Sequence, residues 1–243
     1  MRISNLLFRF RFWILFAIFA AGFWAPLDRM GSAHPGTAWL FLAGMLASHG
    51  LLPIAYSSIF VMGVAILLAL LGALLRTWAA AYMDSGVVHD GRLRGERLIT
   101  AGPYRYVRNP LYIGLWLHSW ALAVLMPPGG AVFTVAAITI LILVLVHAEE
   151  QHLAAMGEEA YIAYRQRVPK FVFSMRPRIA AGLERPDWKN GFLNEIYMWG
   201  VAITYIAFAS RYNATILEQG ILISLGIGIV ARGILRPRAL TAD

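Results

Sequence analysis

A dense run of arginine, tyrosine, glycine and proline carries the clearest chemical signal in this sequence. Residues 98–114 read LITAGPYRYVRNPLYIG, and we call them the arginine motif. Within it, Gly102-Pro103 is a typical turn dipeptide. Pro110 suits the first turn of a helix, because its φ is fixed near the helical value and its missing N–H is not needed there. Asn109 is therefore expected at the N-cap, with its side chain accepting from backbone N–H groups.

The start of that helix has the properties of an anion site. A helix N-terminus offers backbone N–H groups and the positive end of the helix dipole. Arg105 and Arg108 add full positive charge and forked donors beside it, while Tyr104, Tyr106 and Tyr112 supply ring faces and hydroxyls. These residue types suit an anion attached to a planar ring. They equally suit an interfacial turn, with tyrosines in the aromatic belt and arginines reaching to headgroups.

A second polar cluster, residues 147–153 with the sequence HAEEQHL, follows an apolar run, and we call it the acidic motif. A glutamate at bilayer depth costs roughly 2.5–3.5 kcal/mol, and less near an interface, so Glu149 and Glu150 need partners. Adjacent helical residues point about 100° apart. One acid is therefore expected to bind a ligand hydroxyl or ammonium, and the other to pair with an arginine of residues 92–108. His147 lies three residues before Glu150 and is expected on the same face; the alternative for the whole cluster is an ordinary solvated helix end.

A short surface helix is predicted beyond the acidic motif. Gly157 can break the preceding helix, and Pro169 ends the run from Glu158 to Val168. Tyr161 and Tyr164 are three residues apart and so share a face of this helix. Residues 170–190 then form a polar link that contains arginine and proline.

The composition indicates an integral membrane protein. The chain is 59% hydrophobic and 14% charged, with a mean hydropathy of +0.63 and eight tryptophans, which is not the composition of a soluble domain of 243 residues. The absence of cysteine excludes disulfides, thiol nucleophiles and thiolate metal sites. In a membrane protein, a net charge of +8 indicates basic cytoplasmic loops that lie near anionic lipid headgroups. It does not indicate a nucleic-acid partner.

The apolar runs predict an all-α bundle of about seven transmembrane helices. The predicted spans are residues 12–26, 37–52, 57–83, 111–126, 131–146, 192–210 and 216–235. Five arginines between residues 84 and 109 indicate that this loop, and with it a cofactor pocket, faces the cytoplasm. Seven spans then place the N-terminus outside although Arg2, Arg9 and Arg11 prefer the inside. We expect the downstream arginines to override them; the alternative is that the first segment lies in the interface.

Several single residues in the spans are assigned simple structural roles. Arg76, Trp78 and Tyr82 are expected as interfacial anchors at the end of the third span. His118 is expected to be packed and hydrogen-bonded rather than to relay protons. Close packing between helices is expected at four glycines: Gly63, Gly72, Gly226 and Gly228.

The pattern GPYxxxRNPxYxG of residues 102–114 resembles the signature of the membrane methyltransferases that include isoprenylcysteine carboxyl methyltransferases and phosphatidylethanolamine N-methyltransferases. In that family it is paired with a Glu-Glu-x-x-Leu run, a glycine followed by Tyr-x-x-Tyr, and Val-Pro. These recur here at residues 149–153, 157–164 and 168–169, one predicted helical hairpin after the arginine motif. The resemblance covers residues 76–169 and divides the chain into N-terminal helices (1–75), a catalytic core (76–170), and a linker with two C-terminal helices (171–243).

The resemblance implies a methyltransferase that uses S-adenosylmethionine and no metal, with a lipidic substrate entering from the bilayer. The cofactor-binding residues it implies are Leu98, Gly102, Tyr104, Asn109, Pro110, Tyr112, Glu149 and Glu150. Catalytic roles fall to Arg108, His147 and Glu150, and substrate contacts to Arg105, Tyr161, Tyr164 and Arg165. Methyl transfer requires mainly alignment and exclusion of water. An ammonium acceptor must also lose a proton, for which His147 or Glu150 is the candidate base.

Two departures from the family pattern bear on the acceptor. Asn109 stands where the more familiar form has histidine, and residues 131–146 lack the arginine that prenylcysteine-specific members carry before the acidic pair. Lipid amines and quinone-like acceptors therefore stay open beside a prenylcysteine-like carboxylate. The alternatives are a sterol-type NADPH reductase, which has a related Arg-x-Pro-x-Tyr pattern, and a membrane transporter or scaffold. The length and the lack of cysteine suit a bacterial inner membrane.

Overall fold

The computed structural model describes residues 3–24, 36–83, 98–155, 159–212 and 214–235, and in these ranges all regular structure is helical. The N-terminal helices are α1 (Ile3–Trp24), α2 (Ala38–Ser48) and α3 (Ile54–Ala80). A 3₁₀ turn (Gly102–Arg105) precedes α4 (Pro110–Ala123), α5 (Pro128–Ala155) and the short α6 (Glu159–Arg167). The chain ends with α7 (Trp188–Asn194), α8 (Ile196–Arg211) and α9 (Ala214–Leu235). The all-α prediction is confirmed for the described residues. Three arginines of the loop predicted to face the cytoplasm, at positions 92, 94 and 97, lie outside the described residues.

The apolar helices agree with an integral membrane protein. Two described helices, α3 and α5, are long and apolar enough to cross a bilayer, and α7 with α8 would make a third if this pair, bent by 65°, is one span. Shorter apolar helices lie at residues 10–24, 38–48 and 215–231. The second predicted span corresponds to α2, whose 11 residues extend only about 16 Å against a hydrocarbon core of roughly 30 Å.

Two predicted boundaries differ from the structure in ways that affect the site. The span predicted to end at Val146 continues as α5 to Ala155, because no glycine or proline interrupts residues 131–155. The acidic motif is therefore helical and continuous with the membrane helix. The span predicted over residues 192–210 is broken at Glu195, which lies between α7 and α8.

The helices alternate in direction, so one end of the bundle collects the polar motifs. Arg76 near the end of α3 reaches the start of α4, and Glu150 near the end of α5 reaches Asn109. We call this the motif end. Helix α1 starts at the same end, since its Leu15 and Ile18 pack against the C-terminal half of α5 and Gly22 packs against the beginning of α5.

Glycine allows close approach of helices at some of the predicted positions only. A Cβ at Gly72 would lie 2.8 Å from the carbonyl oxygen of Gly114, and one at Gly228 would lie 3.0 Å from the Cβ of Tyr197. The packing prediction is confirmed there. At Gly63 and Gly226 a Cβ would meet no atom of the described residues within 4 Å. The prediction is wrong for these two because they face away from the neighbouring helices.

Candidate active site

The arginine motif begins with the predicted turn. Gly102 has a φ of +56°, a left-handed conformation that favours glycine, and a Cβ there would strike the ring of Tyr82. Pro103 follows inside the 3₁₀ turn, and Tyr104 is buried with its hydroxyl 2.9 Å from the sulfur of Met83. This part of the motif therefore seats a tyrosine against the end of α3.

Asn109 and Pro110 occupy the predicted positions at the start of α4, but the asparagine side chain does not cap the helix. Pro110 is the first helical residue and Asn109 is the N-cap by position, with no side-chain capping hydrogen bond. Its Nδ2 instead donates to Glu150 Oε1 at 3.3 Å and to the Lys170 carbonyl at 3.2 Å. The predicted capping bond is wrong because these two contacts of Nδ2 orient the amide toward Glu150 and the Lys170 carbonyl, so that its oxygen does not accept from the N–H groups of α4.

Glu150 lies at the centre of a charged cluster. It is 6% exposed, and its carboxylate lies 3.2 Å from Arg108 Nη1 and 3.4 Å from Lys170 Nζ. The predicted pairing of one acid with an arginine of the motif is thus confirmed. The Arg108 contact is an ion pair without hydrogen-bond geometry, and the Nε of this guanidinium is buried with no hydrogen-bond partner among the described residues. Buried polar groups of this kind are rare and require an explanation.

The second acid has a different partner. Glu149 is 4% exposed, and Tyr112 on α4 donates its hydroxyl to Glu149 Oε2 at 3.2 Å. The two carboxylates therefore contact different residues of the arginine motif, as expected from their separation around the helix. The structure brings the two motifs together in one buried site through Arg108, Asn109 and Tyr112.

The two tyrosines of α6 share a buried face, as predicted, and hold that helix against the motif. Tyr161 and Tyr164 are 3% and 6% exposed and pack in a cluster with Leu98 and Val168. The Tyr164 hydroxyl donates to the Tyr104 carbonyl at 2.9 Å. Burial, followed by the negative charge of the nearby acidic pair, raises the pKa of the Tyr161 phenol above its ordinary value. These contacts fix α6 in place.

Three predicted site residues are not brought to the buried carboxylates. His147 is exposed and its Nε2 lies 3.0 Å from Gln151 Nε2. Arg165 is exposed on α6. Arg105 is half-buried, and its Nε donates to the Ile179 carbonyl at 3.1 Å. No described group of three or more histidine, aspartate or glutamate side chains is placed to hold a metal ion.

Residues 169–187, which we call the strap, lie alongside the arginine motif and were predicted only as a polar link. The two segments run antiparallel and are joined by backbone hydrogen bonds. The donor and acceptor pairs are Arg108 to Pro169 (2.9 Å), Ser174 to Tyr106 (3.1 Å), Arg178 to Arg105 (2.9 Å), Gly182 to Thr100 (3.3 Å) and, at the end of α3, Asp187 to Ala81 (2.7 Å). The strap also brings Lys170 to Glu150. The only sequence signal for this residue was its position directly after Val168-Pro169.

A buried ion pair links the C-terminal helices to the arginine motif. Arg76 donates through Nε and Nη2 to the two carboxylate oxygens of Glu195 at 2.6 and 2.7 Å. Its Nη1 donates to the Leu111 carbonyl in the first turn of α4 at 3.1 Å. A Cβ at Gly114 would strike the Arg76 side chain, so this glycine makes room for the arginine to cross α4. Arg76 was predicted as an interfacial anchor, and the structure adds a partner that the sequence did not indicate: a buried carboxylate at the break between α7 and α8.

His118 on α4 is packed, as predicted, but it lacks the predicted hydrogen bond among the described residues. It is 1% exposed, its ring meets that of Tyr197 edge-on at 5.6 Å, and neither nitrogen has a hydrogen-bond partner among the described residues. His118 lies inside the bundle, farther from the motif end than the charged site is.

The part of the chain that holds both motifs is similar to known proteins. Residues 60–159 match the family model of phospholipid methyltransferases. The match covers 100 of the 243 residues of the chain, and we call them the phospholipid methyltransferase segment after the model that they match. The resemblance to membrane methyltransferases is therefore confirmed. The phospholipid methyltransferase segment contains Arg76, the arginine motif and the acidic motif, and excludes the strap and helices α7 to α9.

Two curated relatives each match a part of the chain. The protein-S-isoprenylcysteine O-methyltransferase of Schizosaccharomyces pombe is 33% identical over 105 residues, which is 41% of this chain and 44% of the relative. The methanethiol S-methyltransferase of Crocosphaera subtropica is 41% identical over 69 residues, which is 28% of this chain and 26% of the relative. The chain thus spans less than half the length of either relative. No solved structure matches the chain significantly.

Proposed function

We propose that this chain is an integral membrane methyltransferase that transfers a methyl group from S-adenosylmethionine to a lipidic acceptor. The observation that carries the proposal is that the two motifs of the phospholipid methyltransferase segment meet in one buried site. Arg108 and Asn109 contact Glu150, and Tyr112 contacts Glu149. The proposed catalytic core is residues 76–170, extended by Glu195 and the strap.

The residues of this site fit the polar groups of S-adenosylmethionine. The Arg108 Nε is a buried donor with no hydrogen-bond partner among the described residues, and the side chain of Asn109 leaves the first turn of α4 uncapped. A carboxylate at this helix terminus would satisfy both features. The ribose hydroxyls and the ammonium of the cofactor suit the acidic pair, and a tyrosine face suits its adenine. Residues Leu98 to Tyr104, Pro110 and Tyr112 would complete the pocket.

The chain contributes positioning and exclusion of water rather than covalent chemistry. When bound, the cofactor supplies an electrophilic methyl group on a sulfonium. Arg108, Lys170 and Asn109 hold the Glu150 carboxylate in one orientation, and Tyr112 holds that of Glu149. Burial of these groups keeps water from the reacting atoms. Because His147 is exposed, we assign proton removal from an ammonium acceptor to the acidic pair; a carboxylate acceptor needs no base.

The membrane arrangement that we propose has six crossings rather than seven, by α1, α3, α4, α5, the bent pair α7–α8, and α9. Helix α2 does not cross, because its start and the start of α3 both lie at the end opposite the motif end: the Ala38 N–H donates to the Met126 carbonyl, and Trp39 Nε1 donates to that of Ser58. Helices α1 and α9 each run between the motif end and this far end. Six crossings place both termini on the side of the arginine motif. Arg9 and Arg11, in the first half of α1, and the arginines of the motif then lie toward one face, which the positive-inside rule assigns to the cytoplasm. The cofactor pocket faces that side.

The test is transfer of a labelled methyl group. Detergent-purified protein, with and without Glu150→Gln, is incubated with S-adenosylmethionine labelled in the methyl group and with separate acceptors. A prenylcysteine analogue, an aminophospholipid and an alkyl thiol are included, because the relatives are named for isoprenylcysteine and methanethiol and the family for phospholipid. We expect label in one lipidic acceptor, reduced at least tenfold in the variant. Label in none of them, with S-adenosylmethionine unbound, would overturn the proposal.

A further inference from the structure

Residues 170–178 of the strap form an exposed surface that is both basic and apolar, and we call it the interfacial loop. Its sequence, KFVFSMRPR, has three basic residues, four large apolar ones and no acid. Val172 is 75% exposed and Met175 is 93% exposed, with Arg176 and Arg178 exposed beside them. Large apolar side chains at such exposure favour an apolar environment.

The interfacial loop is held in a fixed shape. The Ser174 and Arg178 backbone N–H groups donate to carbonyls of the arginine motif. The buried Ser174 hydroxyl donates to the Arg176 carbonyl and accepts from Arg178 Nε, both at 2.8 Å. The ring of Phe173 stacks on that of Tyr106 at a centroid distance of 5.4 Å. Met175 therefore projects from an anchored turn.

The position of the loop along the bundle corresponds to the level of lipid headgroups. Helix α3 has 27 residues and is about 40 Å long, which exceeds a hydrocarbon core of roughly 30 Å. Trp78 lies in its last turn, and this ring contacts Tyr106 and Phe173 at 5.8 and 6.4 Å. Tryptophan and tyrosine are enriched at this level of a membrane. The exposed apolar side chains of the loop thus lie near an aromatic cluster of the type that marks this level.

We propose that the interfacial loop docks on the headgroup layer of the surrounding bilayer and binds anionic lipid. Val172 and Met175 enter the boundary of the acyl chains, and Arg176 and Arg178 contact lipid phosphates. The absence of any acid in the loop gives charge complementarity to an anionic leaflet, and the apolar pair distinguishes this surface from a purely electrostatic one. The docking depends on the membrane alone and not on methyl transfer. Because Lys170 belongs to the same loop and contacts Glu150, the bilayer surface lies directly beside the charged site.

The lack of native cysteine allows a direct test by spin labelling. Met175→Cys and, as a matched control, Ala163→Cys on the exposed face of α6 are labelled with a nitroxide and reconstituted into vesicles. One vesicle type contains phosphatidylcholine with phosphatidylglycerol, and the other contains phosphatidylcholine alone. Accessibility to oxygen and to a water-soluble nickel chelate then gives the depth of each label.

We expect the label at position 175 to be oxygen-accessible and shielded from nickel by at least fivefold relative to position 163 in the anionic vesicles. Adding Arg176→Gln should reduce this shielding to the value that Met175→Cys alone shows in vesicles of phosphatidylcholine only, whereas adding Arg167→Gln on α6 should leave it unchanged. Equal nickel accessibility at positions 175 and 163 would overturn the proposal and indicate that the surface faces water or a protein. Equal shielding in both vesicle types, unaffected by Arg176→Gln, would overturn the anionic-lipid part.

Discussion

The ion pair between Arg76 and Glu195 offers the sharpest test of how the C-terminal helices support the motif. Glu195 is 3% exposed and accepts from two guanidinium nitrogens of Arg76. The same guanidinium holds the first turn of α4 through the Leu111 carbonyl. Replacing the glutamate by alanine leaves a largely buried arginine, whose side chain is 17% exposed, without its counter-charge, and the start of α4 loses its tie to the break between α7 and α8.

The expected loss of stability is large. Two unit charges about 4 Å apart interact by about 4 kcal/mol at an effective dielectric constant near 20. Removing one partner of a buried pair destabilises by about 3–5 kcal/mol, which is a large part of a typical total of about 5–15 kcal/mol. We therefore predict that Glu195→Ala lowers the free energy of unfolding by about 3–5 kcal/mol. Replacing both residues by methionine should be less harmful, because no buried charge is then left unpaired.

The assay is unfolding in mixed micelles of detergent and dodecyl sulfate, followed by tryptophan fluorescence. The single variants Arg76→Met and Glu195→Met, together with the double methionine variant, form a cycle that isolates the coupling between the two side chains. A loss below about 1 kcal/mol in Glu195→Ala, in the range of surface ion pairs, would refute the reasoning. The pair would then be screened by solvent, and the C-terminal helices would have no electrostatic link to the arginine motif.

Three further predictions concern the site and its packing. Asn109→Asp places a carboxylate where an amide donates to Glu150, so calorimetry should show at least tenfold weaker S-adenosylmethionine binding; unchanged affinity would contradict the assigned contact. Gly114→Ala should destabilise by about 1–3 kcal/mol through overpacking, whereas Gly63→Ala, with no described atom within 4 Å of the new Cβ, should be neutral or stabilising in the same unfolding assay. The raised pKa of Tyr161 means that the folded state binds this proton more tightly, so stability should fall as the pH rises above about 10. Tyr161→Phe should show a shallower fall between pH 9 and 11, and an identical slope would exclude this tyrosine as the cause.

The pairing of one acid with an arginine of residues 92–108 was predictable from sequence, because a glutamate at the end of an apolar helix needs a partner; the structure shows that the two residues are Glu150 and Arg108. The exposed position of His147 could not be predicted in the same way. The buried face of α5 is centred between Glu149 and Glu150, about 110° from His147 at 100° per residue. A spacing of three residues therefore did not bring the imidazole inside. The predicted cap at Asn109 is absent for a related reason: its amide nitrogen donates to the distant carboxylate of Glu150, and this contact sets the orientation of the side chain.

The strap and the Arg76–Glu195 pair could not be predicted from local patterns. An extended segment such as residues 169–187 has no periodic signal, and its hydrogen bonds lie with a distant part of the chain. Arg76 and Glu195 are 119 residues apart, and each was visible only as a charge within or beside an apolar run. The sequence shows that such charges need partners, but the topology decides which ones meet.

The most direct test of the central claim is calorimetric titration of S-adenosylmethionine and of NADPH into the detergent-purified protein, beside Glu150→Gln and Tyr112→Phe variants. We predict micromolar binding of S-adenosylmethionine by the wild type, at least tenfold weaker binding in each variant, and no binding of NADPH. Gly63→Ala serves as a control that should bind as the wild type does. Binding of NADPH alone, or S-adenosylmethionine binding unaffected by both site variants, would contradict the assignment of this site to methyl transfer.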